Sequence, residues 1–496
     1  MDNLIYDAAR FILPLLLGLF VTESFVMMPG YFKKTKSGAD TMQFVFLFAT
    51  HLTGYLLLTL HTLDYSYLVF FTIQEIVFIV YINLFKMLYP GANQAILNNM
   101  CMFIAIGMII LARLSFDKSV RQFIFVAVTL LISIFIPLII KKVTFLSELT
   151  WGYAALGIFA LLIVYILGSV TNGSKLSYTL FGVITFQPSE FVKILFVLFL
   201  AGILSKKTTI LTAVLATVVC VVHVGILVVS KDLGTAAIFF AVYLIVLFAA
   251  SGKFLYLFMG CAVGSGGCLL AYKFFYHVKV RISAWLDPFS DITGKGYQLA
   301  QSLFAIGTGG WFGLGLCQGS PSTIPYVEQD FIFSAITEEL GVVFALFLIM
   351  LCLSMFLMGM ITAYHTKERF YRLVALGISV TYIFQIFLTI GGGTKFIPLT
   401  GVTLPFVSYG GSSIASSVIM FSILEGIWLL SRDKDGELIM LSDESVRKES
   451  ETSLEYEEET YDEALYKFER LDENELLISP DDYKSNVTLR KKSNGN

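Results

Sequence analysis

Charged residues are scarce in this chain. Only 14% of its 496 residues are Asp, Glu, Lys or Arg while 56% are hydrophobic, and a mean hydropathy of +0.78 excludes a soluble globular protein of this length. Cysteine is sparse too. The six (Cys101, Cys220, Cys261, Cys268, Cys317 and Cys352) are scattered, most of them inside apolar runs, with no Cys-x-x-Cys pair. That spacing indicates neither a disulfide framework nor a thiolate metal site, and they read as small buried hydrophobes. The five histidines, His51, His61, His223, His277 and His365, lack ligand spacing as well. Aromatics make up 15%, but in so apolar a chain they suit lipid-facing surfaces and interfacial belts better than a stacking platform, and no nucleic-acid partner is expected. The opening MDNLIYDAAR lacks the basic stretch and small-residue cleavage site of a signal peptide, so the first apolar run is expected to be retained as a span.

What the chain has in abundance is long apolar runs. A bilayer core about 30 Å thick needs roughly 20 apolar residues per helix. Thirteen runs answer to that rule: residues 11–28, 42–60, 67–85, 96–111, 123–140, 151–167, 191–204, 210–229, 233–250, 254–271, 331–360, 373–390 and 412–430. Lys and Arg favour cytoplasmic turns. With the N-terminus outside, every cytoplasmic turn carries a cation: Lys33, Lys34 and Lys36, then Lys86, Lys141 and Lys142, Lys206 and Lys207, Lys253, and Lys367, Arg369 and Arg372. The same count puts the C-terminal tail inside. Residues 433–496 hold 19 acidic against 9 basic side chains, leaving 18 acidic and 25 basic in the first 432. Such a charged segment, with one short helix expected over residues 461–470, reads as disordered.

Four segments interrupt the apolar pattern, and all fall on the external face: 172–193, KDLGTA at 231–236, the long stretch 272–330, and 394–413. Backbone broken by Pro and Gly cannot face lipid, so these segments must pack on protein or line a wet cavity, and four on one side imply a single outward-facing site. Ten cations (Arg113, Lys118, Arg121, Lys175, Lys231, Lys273, Lys279, Arg281, Lys295 and Lys395) also fall on that side, nearly all flanking these segments, as an anionic ligand there would require. Glu190 and Lys193, three apart at the head of the seventh span, share a helical face and are placed to pair. That pair reads equally as structure or as function, since ionisable groups at membrane depth are costly. Asp232 is placed to cap the helix it precedes. Asp287 and Asp291 sit in a Pro- and Gly-bearing loop, and spacing does not choose between them. Glu338 and Glu339 need a polar environment, and Glu75, in the third span, a partner from a neighbouring helix.

The series FQPSEFVK (186–193), KDLGTA, DPFSDITGKGYQLAQSLFAIGTGG (287–310), DFIFSAITEELG (330–341) and PLTGVTLPFVSYGGSS (398–413) resembles, in order and spacing, the signature of the SEDS family (shape, elongation, division and sporulation). The resemblance runs from about residue 96 to 430. It implies an all-α polytopic membrane protein with a ten-helix core over 91–432, re-entrant or external loops on the outer face, three additional N-terminal helices in 1–90, and the acidic tail from 433. It also implies polymerisation of lipid II into glycan strands at the outer face of the bacterial cytoplasmic membrane, in division, elongation or sporulation. By position, Asp291 takes the catalytic role. Arg121 faces the central cavity, which Glu190 and Lys193 line, and Lys231, Asp232, Arg281, Gln298 and Ser302 complete the substrate-binding set. Tyr178, Glu328-Gln329 and Thr389 stand where the family usually has Trp, His-Thr and Asn.

The implied reaction inverts an α-linked donor to a β product, which calls for one general base. Partial burial of Asp291 against Trp285 or Phe289 would make it a stronger one. The diphosphate leaving group needs charge neutralisation, from Arg121, Lys193, Lys231 or Arg281, or from a divalent cation (Mg or Mn) for which the sequence holds no ligand motif. The resemblance also implies a class B penicillin-binding protein as partner, with further division or elongation proteins docking on the tail. Two alternatives stand beside it: a flippase for lipid-linked precursors, disfavoured by the lack of an internal repeat, and a non-catalytic scaffold.

Overall fold

The computed structural model describes residues 2–28, 38–171, 174–180, 184–206 and 208–432; the acidic tail and most of the first turn, with Lys33, Lys34 and Lys36, lie outside the described residues. Three helices come first: α1 (Asp2–Met27), α2 (Ala39–Thr62) and α3 (Ser66–Leu88). Next come α4 (Gln94–Leu114), α5 (Phe116–Ser133), the short α6 (Ile136–Lys142), α7 (Thr150–Leu167), α8 (Ser189–Ser205), α9 (Ile210–Val229), α10 (Leu233–Ser251) and α11 (Phe254–Phe274). The remainder are α12 (Tyr276–Leu286), α13 (Tyr297–Gly309), α14 (Ile332–His365), α15 (Arg369–Gly393) and α16 (Gly411–Arg432). Among the described residues twelve segments are long and apolar enough to cross a membrane, α5 and α6 counting as one. The chain is a multi-pass membrane protein. All thirteen apolar runs are helical. The one outside the twelve is α8, only 17 residues long, and it packs against α7, α10 and α15, so its ends need not reach both lipid interfaces.

Local chemistry accounts for the breaks. The α5–α6 junction falls just before Pro137, which lacks an N–H and disfavours a helical residue ahead of it. Asn93 caps α4 through Ala95 N, Thr209 and Thr212 form a reciprocal cap on α9, and Asp232 caps α10 through Thr235 N at 3.2 Å, as expected for it. Two stretches expected as irregular contain regular structure. Residues 169–186 carry three short antiparallel strands, β1 (Ser169–Thr171), β2 (Ser174–Leu180) and β3 (Ile184–Phe186), paired in the order β1-β2-β3. The polar stretch 272–330 contains α12 and α13, because most of its Gly and Pro fall in the turns at 288–296 and 310–325, outside the two helices.

The core centres on α4, from which Ala95 to Ala112 are buried without exception. The N-terminal helices fasten to it through polar groups that have no water to turn to. Ser24 of α1 donates to Asn99 Oδ1 at 2.9 Å, Asn99 donates to Ser354 of α14 at 3.1 Å, and Asn98 donates to Gln43 of α2 at 3.1 Å. Hydrogen bonds of this kind between membrane helices contribute about 0.6 kcal/mol each. Glu75 finds the partner it needed in His51 of α2, at 2.6 Å.

Midway along its opening turns, α14 breaks at Gly341 (φ 86°). The segment after α13 docks into the break: Leu314 N and Gly315 N donate to the carbonyls of Glu338 and Glu339, and Val342 N and Val343 N donate to those of Gly310 and Trp311. Backbone polar groups freed by the break are thereby satisfied within the protein, the condition for irregular chain in a membrane protein. Glu339 receives Arg113 Nε at 3.1 Å, and Glu338 accepts Ser320 N at 2.9 Å.

Candidate functional site

The segment 394–410, between α15 and α16, gathers the other three interrupting segments at one end of the bundle. From α12, Arg281 Nη1 donates to Thr400 O at 3.1 Å and Trp285 Nε1 to Lys395 O at 3.1 Å. From the stretch before α14, Glu328 O accepts Tyr409 N at 2.7 Å and Gln329 O accepts the Ser408 hydroxyl at 2.5 Å. Glu328 also pairs with Lys118 of α5. At the head of α10, Gly234 lies so close to Thr400 that an added Cβ would stand 3.0 Å from its carbonyl oxygen. Ahead of α8, Gln187 N donates to Ser412 Oγ at 3.0 Å. The segment is itself anchored to α15, where Gln385 Nε2 donates to Thr403 O at 3.0 Å and Thr389 to Val402 O at 2.9 Å.

Beneath this hub lies a buried charge pair. Lys193 Nζ meets Glu190 Oε2 at 2.5 Å and Gln385 Oε1 at 2.8 Å, and Ser416 Oγ donates to the same Glu190 oxygen at 2.9 Å. The i, i+3 pair expected from sequence therefore exists, but it extends across α8, α15 and α16. Ser189, next to Glu190 in the chain, donates to Asp232, 3.4 Å away, whose carboxyl burial pushes above the usual carboxylate range. Gln385 and Ser416 were not singled out from sequence, since a lone Gln and Ser in apolar helices carry no pattern of their own.

Arg281 and Asp330 approach each other across Gly401: a Cβ placed there would lie 3.6 Å from both Arg281 Nη2 and Asp330 Oδ2. Burial raises Asp330 to about 6, with Arg281 pulling the other way. Burial likewise lowers Arg281, opposed by Asp330 and Asp232. Asp330 stood in the sequence within a quoted motif, yet nothing in its spacing marked it out.

The remaining expected residues distribute unevenly. Asp291 is exposed, so the burial against Trp285 or Phe289 does not occur: Trp285 is spent on Lys395 O, and Phe289 packs on Phe304, their rings 5.7 Å apart. A tight turn still holds the side chain, because Asp291 Oδ2 accepts Lys295 N at 3.0 Å and Asp291 O accepts Gly294 N and Gly296 N. Asp287, its rival, has one oxygen committed to two amides, Phe289 N and Ser290 N, at 3.1 and 3.2 Å. Arg121 is exposed on α5, one turn before Phe125, which lies against Gly411; its neighbour Gln122 points inward and clamps Ser408 O and Gly410 N. Lys231 is exposed in a left-handed conformation (φ 64°), and Gln298 is half-buried. Ser302 departs from expectation. It is fully buried and its hydroxyl lies 2.6 Å from Ser334 Oγ and 2.7 Å from Gly393 O, so it fastens α13 to α14 and α15 instead of lining a substrate cavity. Among the described residues no group of three or more His, Cys, Asp or Glu is placed to hold a metal ion.

Fold and site together define a polytopic helical membrane protein whose broken segments meet over a buried, hydrogen-bonded charge network. Comparison with known proteins places that architecture. A family model for FtsW, RodA and SpoVE, described as cell cycle protein, matches residues 93–432, and the chain belongs to this family, the SEDS family its motifs resemble. The peptidoglycan glycosyltransferase RodA of Mycobacterium bovis is 39% identical over 275 residues, covering 52% of this chain and 58% of that protein. The chain thus spans little more than half the length of that curated relative. Stage V sporulation protein E of Bacillus subtilis is 32% identical over 330 residues, or 64% of this chain and 88% of that protein. A chain from a solved peptidoglycan synthase complex, one that coordinates polymerization and crosslinking, shares the fold with a TM-score of 0.60 at 23% identity, covering 69% of this chain and 98% of that one.

Proposed function

We propose that this protein is a peptidoglycan glycosyltransferase that joins lipid II units into glycan strands at the outer face of a bacterial cytoplasmic membrane. One observation carries the reading: in a member of this family, three broken segments meet the fourth, 394–413, over the buried Glu190–Lys193–Gln385–Ser416 network, with Arg281 and Asp232 beside it. Charged groups at this depth are too costly to keep without a task.

Asp291 is the general base. Its turn leaves Oδ1 unbonded to the described residues while Lys295 N fixes Oδ2, so a free carboxylate oxygen is held in a defined orientation. The 4-hydroxyl oxygen of one lipid-linked disaccharide attacks the anomeric carbon of the other, that carbon's bond to the diphosphate breaks, and the hydroxyl proton passes to Asp291. The displacement inverts the α linkage to β. The diphosphate departs on its lipid, its charge met by Arg281 and the exposed cations Arg121 and Lys231, with Lys193 contributing from below. A class B penicillin-binding protein crosslinks the product, a reading supported by the synthase complex that shares this fold. The broken segments face outward and the tail inward, in keeping with the basic turns.

The test is incubation of the purified full-length protein with lipid II alone in detergent. Strand formation that disappears in Asp291→Asn supports the assignment, and wild-type protein that makes no polymer rejects it.

A further inference from the structure

The N-terminal helices hold an ionisable pair that polymerisation does not use. His51 of α2 and Glu75 of α3 lie outside residues 93–432, the part matched by the family model, and both are buried well inside their helices. His51 Nδ1 stands 2.6 Å from Glu75 Oε1. Aromatic rings surround the imidazole: Tyr55 and Phe71 meet it edge-on, each with its centroid 5.1 Å away, and Phe78 lies at 5.8 Å. Apolar groups of similar volume would join α2 to α3 as firmly as a buried ion pair does. An ionisable pair kept within a membrane span therefore points to a task.

The bonding pattern indicates which task. One hydrogen bridges Nδ1 and Oε1, whichever of the two carries it. The outer atoms of the pair, His51 Nε2 and Glu75 Oε2, are buried and have no hydrogen-bond partner among the described residues, and the same holds for Gln74 Oε1 on the adjacent residue. Gln74 turns its Nε2 to Tyr55 Oη at 2.7 Å, so the atom it leaves over is an acceptor. Oε2 of an ionised Glu75 is an acceptor too, as is Nε2 of a neutral His51. The two nitrogens of an imidazole point in diverging directions, so these acceptors do not enclose one point as a metal ion requires, whereas a proton binds a single end. No cation competes for the pair. Tyr55 on α2 and Cys101 on α4 are the titratable groups that face it, while α1 carries Asp7, Arg10 and Glu23 near its ends and α5 carries Asp117, Lys118 and Arg121 in its first two turns, level with Phe70.

We propose that His51 and Glu75 form a proton-binding site in the N-terminal helices. Hydronium gives a proton to Nε2 and leaves as water, the Nδ1 hydrogen passes to Oε1, and the site goes from one negative charge to none, a neutral imidazole beside a neutral carboxyl. The reverse transfers restore it. The inference stands apart from the polymerase reading and does not depend on it.

Infrared difference spectra of the full-length protein in nanodiscs, recorded as pH is lowered, read the carbonyl stretch that a carboxyl gains on protonation, with thermal melting as the check on folding. Wild type is expected to carry one band that Glu75→Gln lacks, and that band should shift in deuterium oxide because solvent protons reach the site. In His51→Phe, which keeps the aromatic packing, its midpoint should move by about one pH unit or more, the mark of two coupled titrating groups. Glu75→Asp retains a carboxyl and replaces the glutamine variant if that one fails to fold; its band should persist at a different midpoint. The site is overturned if folded Glu75→Gln keeps every band of wild type, if Glu75→Asp moves none, if the band does not exchange, or if its midpoint ignores His51→Phe. The pair is then only a structural tie between α2 and α3.

Discussion

Replacing Lys193 by Met isolates the electrostatics on which the buried network is built. Lys193 and Glu190 are both buried, and the ammonium supplies Glu190 Oε2 with its closest partner at 2.5 Å and Gln385 Oε1 with another at 2.8 Å. With Lys193→Met, Glu190 keeps only the Ser416 hydroxyl, at 2.9 Å, and becomes a buried charge without a counter-ion. Removing one member of such a pair costs about 3–5 kcal/mol, whereas replacing both by uncharged groups of similar volume is often neutral. The double variant Glu190→Gln/Lys193→Met should therefore melt closer to wild type than Lys193→Met does. Apparent melting temperatures of the full chain in one detergent, taken as a double-mutant cycle, read this directly, with a coupling of at least about 1 kcal/mol expected for residues in contact. Equal melting of Lys193→Met and wild type, or strictly additive losses, would refute the argument that the pair is desolvated and mutually dependent.

Three further outcomes follow from the same geometry. Gly341→Ala should destabilise the protein by about 2 kcal/mol or more, because a Cβ there runs into the backbone of Trp311, Phe312 and Gly313 at a φ of 86°; wild-type melting would contradict the account of the helix break. Ser302→Ala should cost about 1 kcal/mol of stability and leave the KM for lipid II unchanged, since the hydroxyl is spent on Ser334 and Gly393; a raised KM would return Ser302 to the binding set. Asp330, raised to about 6 by burial, binds its proton more tightly folded than unfolded, so its contribution to stability is greatest below about pH 4 and is lost as pH climbs through about 6. Stability measured from pH 4 to 7 should fall less in Asp330→Asn than in wild type, and parallel curves would show that the carboxyl is not desolvated.

How much of this was legible in the sequence depends on how local the signal is. The spans were readable because crossing lipid forces apolar length on every helix, and even the 17-residue α8 announced itself that way. The Glu190–Lys193 pair and the Asp232 cap were readable because i, i+3 spacing and helix starts are short-range properties. The Gly341 break was not, since one glycine in an apolar run is usually helix packing and only the docking of residues 310–315 gives this one its meaning. Ser302 was misplaced for a related reason: its motif located it along the chain, but the side chain's direction was set by Ser334 and Gly393, 32 and 91 residues away. Asp330 escaped notice because its environment is built by Arg281 and Gly401 from two distant segments. The solvent exposure of Asp291 likewise came from the turn at 291–296 and not from its aromatic neighbours in sequence.

Proton transfer to Asp291 is the step on which the proposed polymerisation depends. Its sharpest test is the rate of lipid II polymerisation by purified Asp291→Asn beside wild type, with melting temperature and lipid II affinity measured on the same samples. The predicted result is unaltered folding and binding with strand synthesis reduced by a factor of at least about a hundred. Synthesis at the wild-type rate would contradict it.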